Sequence, residues 1–470
     1  MAMFIGIDVG TSVVKAAAFD ASGAALAVES RPVALDIRGG HVEQDMDEVY
    51  DAVVDVLGAL RTVGEEVALV GLTGQGDGVW LVDESGRPVR PAISWMDGRA
   101  HEMVGEWLAS GVFESVFRRT GSAMFPGCPG PVLAWLEQHE PQSLDAAATA
   151  LYCKDMVFQR LTGLRATDVS DASMPFLDPH TRSYAPDVVD ALGLSHRSGL
   201  LPPVADPLAT GTLPCGTPIA NGPYDLPACA LGAGVTAPGD GLLIVGTCLA
   251  SLVATRDVDL AGEPAGLYIS TDRPGDFLRA MPAMVGTAAL DWVLATTGVR
   301  HTEVDALLAA TPPGAHGVHV LPYFAPSGER APFVEPRLRA ELSGVSLEST
   351  KADLIRATCE GIAFAARHCL DAAGLTGTLA ICGGGTRSPA WMRLFADALG
   401  RELRIVEGEV GARGAVLASA ARHGVELDVA SWTAPTSVVA PDPERAAYYA
   451  KAYEEHLDRL AAARARARRT

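Results

Sequence analysis

The chain has 470 residues, of which 48% are hydrophobic and 20% charged, with a formal net charge of −20. This length exceeds a typical single core, so two domains are expected, and the composition excludes a disordered chain. The acidic excess argues against nucleic acid as the main partner, because binding to a phosphate backbone depends on clustered Lys and Arg. No apolar run suits a membrane span, and residues 1–8 lack the pattern of a signal peptide.

The eight cysteines are scattered and contain no Cys-x-x-Cys pair. This pattern favours reduced thiols over a disulfide framework or a zinc site, so we predict a cytoplasmic protein with neither membrane nor nucleic acid as a partner. The one basic cluster, residues 464–469, is interpreted as the solvated end of a C-terminal helix, where positive charge suits the helix dipole. A docking arm is the alternative.

The first fifteen residues predict two strands joined by a small turn. An apolar run containing Asp8 is followed by Gly10-Thr11-Ser12 and by a second apolar run that contains Lys15. A buried carboxylate is costly without a partner, and a hydrated magnesium ion would supply one. The turn offers backbone N–H groups and hydroxyls to an anion, and its glycine permits close approach. Phosphate is the candidate ligand, with an ordinary hairpin as the alternative.

The following segment alternates between helical and strand patterns, which indicates an α/β architecture. Residues 47–60 carry apolar side chains at helical spacing. The apolar strand 67–73 then enters the polar loop Gly74-Gln75-Gly76-Asp77-Gly78. Loops at strand ends are where sites lie in such folds. Residues 101–190 are mostly helical in pattern.

A linker at residues 236–240 is followed by a repeat of the opening pattern. Residues 241–255 again place a Gly-Thr pair, Gly246-Thr247, between two apolar strands. The repeat suggests an internal duplication, and it favours phosphate binding over an ordinary hairpin. We therefore predict domains at 1–237 and 238–470, with the ligand held in a cleft between them.

The second half repeats the α/β pattern. Residues 352–373 predict a long amphipathic helix. The strand 379–382 then enters Gly383-Gly384-Gly385 before a further helix. Glycines at a helix N-terminus suit the phosphates of a nucleotide, although the spacing is not that of a Rossmann fold.

Several short motifs occur in a specific order along nearly the whole chain. They are Ile7-Asp8-Val9-Gly10-Thr11-Ser12, Trp95-Met96-Asp97-Gly98-Arg99-Ala100, Lys154-Asp155 with Arg160-Leu161-Thr162-Gly163, Thr167-Asp168-Val169-Ser170-Asp171-Ala172-Ser173, Gly328-Glu329-Arg330-Ala331-Pro332, and Gly383-Gly384-Gly385 with Ser388 and Trp391. In this order they resemble the FGGY carbohydrate kinases, two-domain enzymes of the actin-like ATPase (ribonuclease H-like) fold.

The resemblance implies phosphoryl transfer from MgATP to a hydroxyl of a small sugar or polyol of the ketopentose, pentitol or tetritol class. Asp225 would be the catalytic base, with a helix N-cap as its structural alternative. Asp8 would organise magnesium through waters. The implied nucleotide contacts are Gly10, Thr11, Ser12, Lys15, Gly246, Thr247, Gly384 and Gly385. The implied substrate contacts are Gln75, Gly76, Asp77, Trp95, Asp97, Arg99 and Asp225.

Three departures from the family pattern bear on the substrate. Leu226 stands where ketopentose and glycerol members usually carry Asn or Gln, which removes one polar contact. Cys248 replaces the customary Ser of the second hairpin. The loop after Gly74 lacks the Met-His of xylulokinases and looks more like the branch acting on tetritols, pentitols or less usual ketopentoses.

Structural alternatives remain for the substrate loop and for the whole protein. Trp95 is equally expected in core packing, and Asp97 and Arg99 are alternatively a surface ion pair. A Walker A loop and the protein-kinase catalytic loop are absent from the sequence. The alternative function is a kinase-like regulatory protein that binds sugar or nucleotide without turnover. The oligomeric state stays open, with a homodimer as one alternative.

Overall fold

The structure, a computed structural model, describes residues 2–64 and 66–469. Met1 and Thr470, the outer ends of the two predicted domains, lie outside the described residues. The α-helices are α1 Met46–Leu60, α2 His101–Ser110, α3 Val112–Thr120, α4 Pro129–His139, α5 Pro141–Ala146, α6 Cys153–Thr162, α7 Val169–Ala172, α8 Pro186–Ala191, α9 Asp225–Gly232, α10 Thr287–Thr297, α11 Val304–Ala310, α12 Lys351–Ala373, α13 Pro389–Leu399, α14 Val410–His423, α15 Val429–Trp432 and α16 Pro443–Ala467.

The strands alternate with these helices along most of the chain. They are β1 Met3–Val9, β2 Val13–Phe19, β3 Ala25–Pro32, β4 Asp36–Arg38, β5 His41–Gln44, β6 Val67–Gly74, β7 Trp80–Val82, β8 Ala92–Ile93, β9 Thr149–Leu151, β10 Thr167–Asp168, β11 Leu177–Asp178, β12 Ser183–Tyr184, β13 Val204–Ala205, β14 Thr210–Thr212, β15 Pro218–Asn221, β16 Gly241–Val245, β17 Leu249–Thr255, β18 Leu267–Ser270, β19 Phe277–Pro282, β20 His319–Leu321, β21 Glu341–Ser343, β22 Leu379–Cys382, β23 Leu403–Ile405 and β24 Ser437–Val439.

Contacts between Cα atoms divide the chain into two units, each built from more than one segment. Unit 1 comprises Met1–Thr236, Thr255–Leu278 and Gly408–Ala434, and unit 2 comprises Ala237–Ala254, Arg279–Glu407 and Pro435–Thr470. In the described part of the chain, no helix is long and apolar enough to cross a bilayer.

Unit 1 is organised around a six-stranded sheet in the order β14-β15-β6-β1-β2-β3. Strand β1 is antiparallel to β2 and parallel to β6, so it lies in the interior of the sheet. Alternate β1 side chains face opposite ways. Those at positions 3, 5, 7 and 9 pack with α1 in one apolar cluster, whereas Phe4 packs with α14 in another. This alternation assigns Asp8 to the α14 face.

Unit 2 repeats this arrangement around β16. Strand β16 is antiparallel to β17 and parallel to β22, as β1 is to β2 and β6. The sheet continues within this unit in the order β19-β17-β16-β22-β23-β24. The shared connectivity agrees with the predicted duplication of the hairpin.

Helix α12 confirms the long helix predicted at residues 352–373 and begins one residue earlier. Its start is fixed by a reciprocal capping box, because the Thr350 hydroxyl accepts from the backbone of Asp353 and the Asp353 carboxylate accepts from the backbone of Thr350. Gly374 ends the helix at a φ of 86°, in the left-handed region that favours glycine. The buried face of α12 is the centre of the unit 2 core.

Candidate active site

Helix α14 lies against β1 on one side and against α9 on the other, with backbone in direct contact. A Cβ on Gly6 of β1 would lie 2.0 Å from the carbonyl oxygen of Ala412. A Cβ on Gly414 would lie 1.8 Å from the carbonyl oxygen of Ala228 in α9. Only glycine permits such approaches. The start of α9 is therefore fixed relative to β1 by backbone contacts rather than by adjustable side chains.

Asp8, the acid predicted in the first strand, lies beside the first turn of α14. A Cβ on Gly411 would be 2.7 Å from Asp8 Oδ2. Burial, with a smaller contribution from the Glu409 carboxylate, raises the pKa of Asp8 to about 6, and Lys15 opposes this shift. Lys15 itself pairs with Glu409 at 3.3 Å. The site therefore contains a carboxylate whose ionised form would gain from a cation.

Asp225 is the first residue of α9, and Tyr224 is the N-cap. The alternative role of Asp225 as N-cap is therefore wrong. The pKa of Asp225 is raised to about 8, mainly by burial and further by the negative charges of Asp8 and Asp77. A hydrogen bond from the backbone amide of Leu226 offsets part of this increase. The side chain is only partly exposed. A carboxyl group with a pKa near neutrality, beside a second carboxyl, has the properties expected of a general base.

The loop that precedes Asp225 is held from two sides. The Thr73 hydroxyl at the end of β6 donates to the carbonyl of Pro223 at 2.7 Å. On the other side, the backbone N–H of Tyr224 donates to Ser170 Oγ at 3.2 Å. Ser170 belongs to the motif at residues 167–173, to which the sequence assigned no role. In the structure, this motif supports the residues that precede α9.

The Lys154-Asp155 motif forms a buried charge cluster with the same segment. Lys154 Nζ lies 2.7 Å from Asp155, 2.9 Å from Asp168 and 3.0 Å from Asp171. Burial alone would lower the pKa of Lys154, but the three carboxylates raise it well above its usual value. Burial raises the pKa of Asp171 strongly, despite Lys154. One cation thus ties the motif at residues 167–173, through Asp168 and Asp171, to the Lys154-Asp155 pair.

The predicted substrate loop around Trp95 contacts the first turn, residues 10–12. Trp95 Nε1 donates to Thr11 Oγ1 at 2.8 Å, and the indole is partly exposed rather than part of the core. Asp97 accepts from the Val42 N–H at 2.6 Å and from Arg99 Nε at 2.8 Å. The pairing of Asp97 with Arg99 is confirmed, but its expected surface location is wrong, since both side chains are buried.

The second substrate loop, residues 75–77, packs close to Tyr224. A Cβ on Gly76 would lie 2.6 Å from the Tyr224 ring, so a larger residue would displace one of the two. Asp77 has a φ of 59°, an uncommon conformation for a residue other than glycine. Gln75 is buried and donates from Nε2 to Gln44 Oε1 at 2.8 Å. Gln44 was not singled out from the sequence.

The predicted nucleotide residues of unit 2 lie at the ends of neighbouring parallel strands. Gly246 and Thr247 follow β16, and a Cβ on Gly286 would lie 2.2 Å from the Thr247 carbonyl oxygen. Gly384 and Gly385 follow β22, which pairs with β16. Gly384 has open space around its Cβ position, whereas a Cβ on Gly385 would lie 2.3 Å from a Val245 methyl group. The two glycine turns therefore share one edge of the sheet, as expected for a ligand-binding edge.

Glu329, from the motif at residues 328–332, supports the second hairpin. One oxygen of its carboxyl group accepts from the backbone N–H groups of Met284, Arg330 and Ala331. Burial raises the pKa of Glu329 to about 7 although these three donors lower it. The segment next to Met284 pairs with Leu249 of β17, so Glu329 orders the strand that borders the turn.

Comparison with known proteins assigns the chain to a family. The N-terminal domain of the FGGY family of carbohydrate kinases matches residues 3–211, and the C-terminal domain of that family matches residues 242–422. The chain belongs to the FGGY family of carbohydrate kinases. The predicted family is confirmed, and this kinase is a phosphotransferase that uses ATP and has an alcohol group of a small molecule as the phosphoryl acceptor.

Similar proteins cover nearly the whole kinase. The erythritol kinase of Brucella abortus (strain 2308) is 35% identical and spans 98% of this chain and 96% of its own. The xylulose kinase of Escherichia coli (strain K12) is 30% identical over 87% of each chain. The crystal structure of xylulose kinase from Rhodospirillum rubrum, 29% identical, matches with a TM-score of 0.88 over 98% of both chains. The predicted two-lobed α/β fold of the actin-like type is confirmed.

Asp8 is the residue predicted to organise a metal ion in this kinase. Within residues 2–64 and 66–469, no group of three or more His, Cys, Asp and Glu side chains is arranged to hold one. Asp8 nonetheless fits a magnesium ion by its chemistry, because Mg²⁺ prefers oxygen ligands and usually keeps several waters. A site without three converging protein ligands among the described residues suits an ion that reaches the enzyme together with phosphate groups.

Proposed function

We propose that this kinase transfers the terminal phosphoryl group of ATP to a hydroxyl of a tetritol, pentitol or ketopentose, with Asp225 as the general base. The observation that carries the proposal is the partly exposed Asp225 carboxyl at the start of α9, whose pKa is raised to about 8. Relatives named for erythritol and for xylulose support the substrate class. Leu226 in place of a polar residue supports a substrate that needs one contact fewer at the base.

In this proposal Asp225 accepts the proton of the substrate hydroxyl. The hydroxyl oxygen forms a bond to the terminal phosphorus as the bond between that phosphorus and the bridging oxygen of ADP breaks. The proton moves to the Asp225 carboxylate, whose raised pKa favours its acceptance. Most of the rate enhancement then comes from positioning and charge neutralisation. The backbone contacts between α9, α14 and β1 supply that positioning.

Asp8 would hold magnesium through water molecules, and the ion would neutralise charge on the phosphates. We assign the remaining predicted residues by unit. In unit 1 they are Gly10, Thr11, Ser12 and Lys15 for phosphate, and Gln75, Gly76, Asp77, Trp95 and Asp97 for the substrate loops. In unit 2 they are Gly246, Thr247, Gly384 and Gly385 for the nucleotide. The Asp97 oxygens are engaged by protein donors, so we propose that Asp97 orders its loop.

The domain assignment remains part of the proposal. Residues 1–237 would supply the base and the substrate contacts, and residues 238–470 would supply the nucleotide contacts. Cytoplasmic location and a homodimer stay predictions.

An ADP-release assay across erythritol, pentitols, ketopentoses and glycerol tests the function. We expect turnover with at least one tetritol, pentitol or ketopentose and a strong loss in Asp225→Asn. ATP binding without turnover on any of these compounds would favour the regulatory protein instead. Identification of the phosphorylated product by mass spectrometry would exclude simple ATP hydrolysis.

A further inference from the structure

A chain of two buried amides joins the first turn to the substrate loop. We propose that Gln44 is a positioning residue: it orients the Gln75 amide so that Gln75 presents its carbonyl oxygen, and not its NH₂ group, to a hydroxyl of the substrate. The inference rests on the proposed function, in which Gln75 contacts the polyol or sugar. It adds a residue and a hydrogen-bond direction that the site residues alone do not supply.

The orientation of Gln44 follows from its partner in the first turn. Gln44 Nε2 lies 2.8 Å from the backbone carbonyl oxygen of Thr11. A carbonyl oxygen only accepts hydrogen bonds, so the atom facing it must be the amide nitrogen. The opposite end of the Gln44 amide is therefore its carbonyl oxygen. Gln44 is 1% exposed, so water does not compete for these contacts.

The orientation of Gln75 follows in the same way. Gln44 Oε1 can only accept, and Gln75 Nε2 lies 2.8 Å from it. Gln75 Nε2 also lies 3.6 Å from Cys153 Sγ, a weak acceptor. Both hydrogens of the Gln75 amide are thus directed at protein atoms. Its Oε1 is buried and has no hydrogen-bond partner among the residues that the structure describes.

The orphaned oxygen defines the chemistry of its partner. A buried acceptor without a donor is unfavourable, and a substrate O–H would satisfy it. Because Gln44 prevents the amide from turning, Gln75 cannot offer a donor instead. The position should therefore require a hydroxyl and should reject an analogue in which hydrogen, an ether or a keto oxygen replaces it.

The same chain of hydrogen bonds, called the relay below, connects Gln75 in the substrate loop with the first turn. Thr11 accepts from Gln44 through its carbonyl oxygen and from Trp95 through its hydroxyl. The backbone N–H of Gln75 donates to the carbonyl of Val9, just before the turn, at 2.9 Å. A displaced Gln44 would thus disturb Gln75 first, since the backbone of the turn is also held by other bonds.

The test is a double-substitution cycle with Gln44→Leu, Gln75→Leu and the pair, and with exposed Gln142→Leu as the matched control. Each protein is assayed for kcat, for KM of the polyol or sugar and of ATP, and for melting temperature. We expect Gln44→Leu and Gln75→Leu each to raise the KM of the sugar or polyol about 5- to 150-fold. The double variant should be no worse than Gln75→Leu, because Gln44 acts through Gln75.

Multiplying effects in the double variant would overturn the inference, as would an unchanged substrate KM in Gln44→Leu. If Gln44→Leu does not fold, Gln44→Met and a series of monodeoxy analogues on the wild-type enzyme replace it. One deoxy analogue should bind the wild type more weakly than the parent compound does. In Gln44→Met the same analogue should lose no affinity relative to the parent compound. Equal discrimination in both proteins contradicts the role of Gln44.

Calorimetric titration with the same compounds separates this inference from the proposed function. A wild-type protein that binds polyol without turnover would refute the kinase proposal, and the Kd values of the variants would still decide the role of Gln44. If the wild type turns over and Gln44→Leu keeps its Kd, only the relay is wrong. Binding of none of the compounds would overturn both.

Discussion

Replacing Asp225, the proposed base, by Asn removes the ionisable carboxyl group while keeping the shape of the side chain. The folded state raises the pKa of Asp225 from 3.8 to about 8, mainly by burial. The folded protein therefore retains a proton that the unfolded chain releases, and stability falls as the pH rises from about 4 to about 8. The shift corresponds to about 4 kcal/mol at pH 7. Because the group is partly exposed, we expect Asn to recover about 1–3 kcal/mol.

The same substitution should abolish most of the activity. Loss of a general base lowers turnover by roughly 10²–10⁴-fold, with ATP binding retained. Melting temperatures measured from pH 5 to 8 in EDTA, together with ADP release, report both effects in one protein. Exposed Asp51→Asn in α1 is the control and should change neither. Near-wild-type turnover would refute the base, and a melting temperature that tracks the wild type at every pH would refute the burial argument.

Three further substitutions test the support of the site. Gly414→Ala should lower kcat and cost about 1–3 kcal/mol in denaturant unfolding, because its Cβ would strike α9. Gly58→Ala, with open space in α1, should instead be neutral or stabilising by up to about 1 kcal/mol. Lys154→Met should lower the free energy of unfolding by about 3–5 kcal/mol, because it leaves three buried carboxylates without their cation. Part of this stability should return at acid pH, where the carboxylates are protonated, whereas exposed Lys451→Met should have no such effect. A loss that does not depend on pH would contradict the cluster. Trp95→Phe should raise the KM of ATP about 2- to 10-fold, and an unchanged KM would show that the indole bond does not order the first turn.

Local patterns account for what the sequence predicted well. The two hairpins, the long helix α12 and the glycine turns each depend on neighbours within a few residues. Apolar runs on either side of a glycine turn, and apolar side chains at helical spacing, therefore indicate them without any long-range contact. The order of the short motifs was enough to identify the family, and with it Asp8 and Asp225 as the acids of interest.

The chemical state of those acids depends on contacts that the linear sequence does not contain. The raised pKa of Asp225 comes from burial and from Asp8 and Asp77, which lie far from it in the chain. The surface pair expected for Asp97 and Arg99 is buried because β5, a strand from another segment, covers it. The spacing of apolar residues and the amino-acid composition do not determine which residues far apart in the chain come into contact.

The sequence by itself determined the fold, the family and the candidate base, because each is encoded in short contiguous patterns. Only the tertiary structure decided how the site is held. Gly6 and Gly414 are required only because α14 packs against β1 and α9 in the folded protein. The orientation of the Gln44 and Gln75 amides is likewise set only by the hydrogen bond between them. The physical reason is that hydrogen bonds and backbone approach are set by distances in space, which chain spacing does not specify.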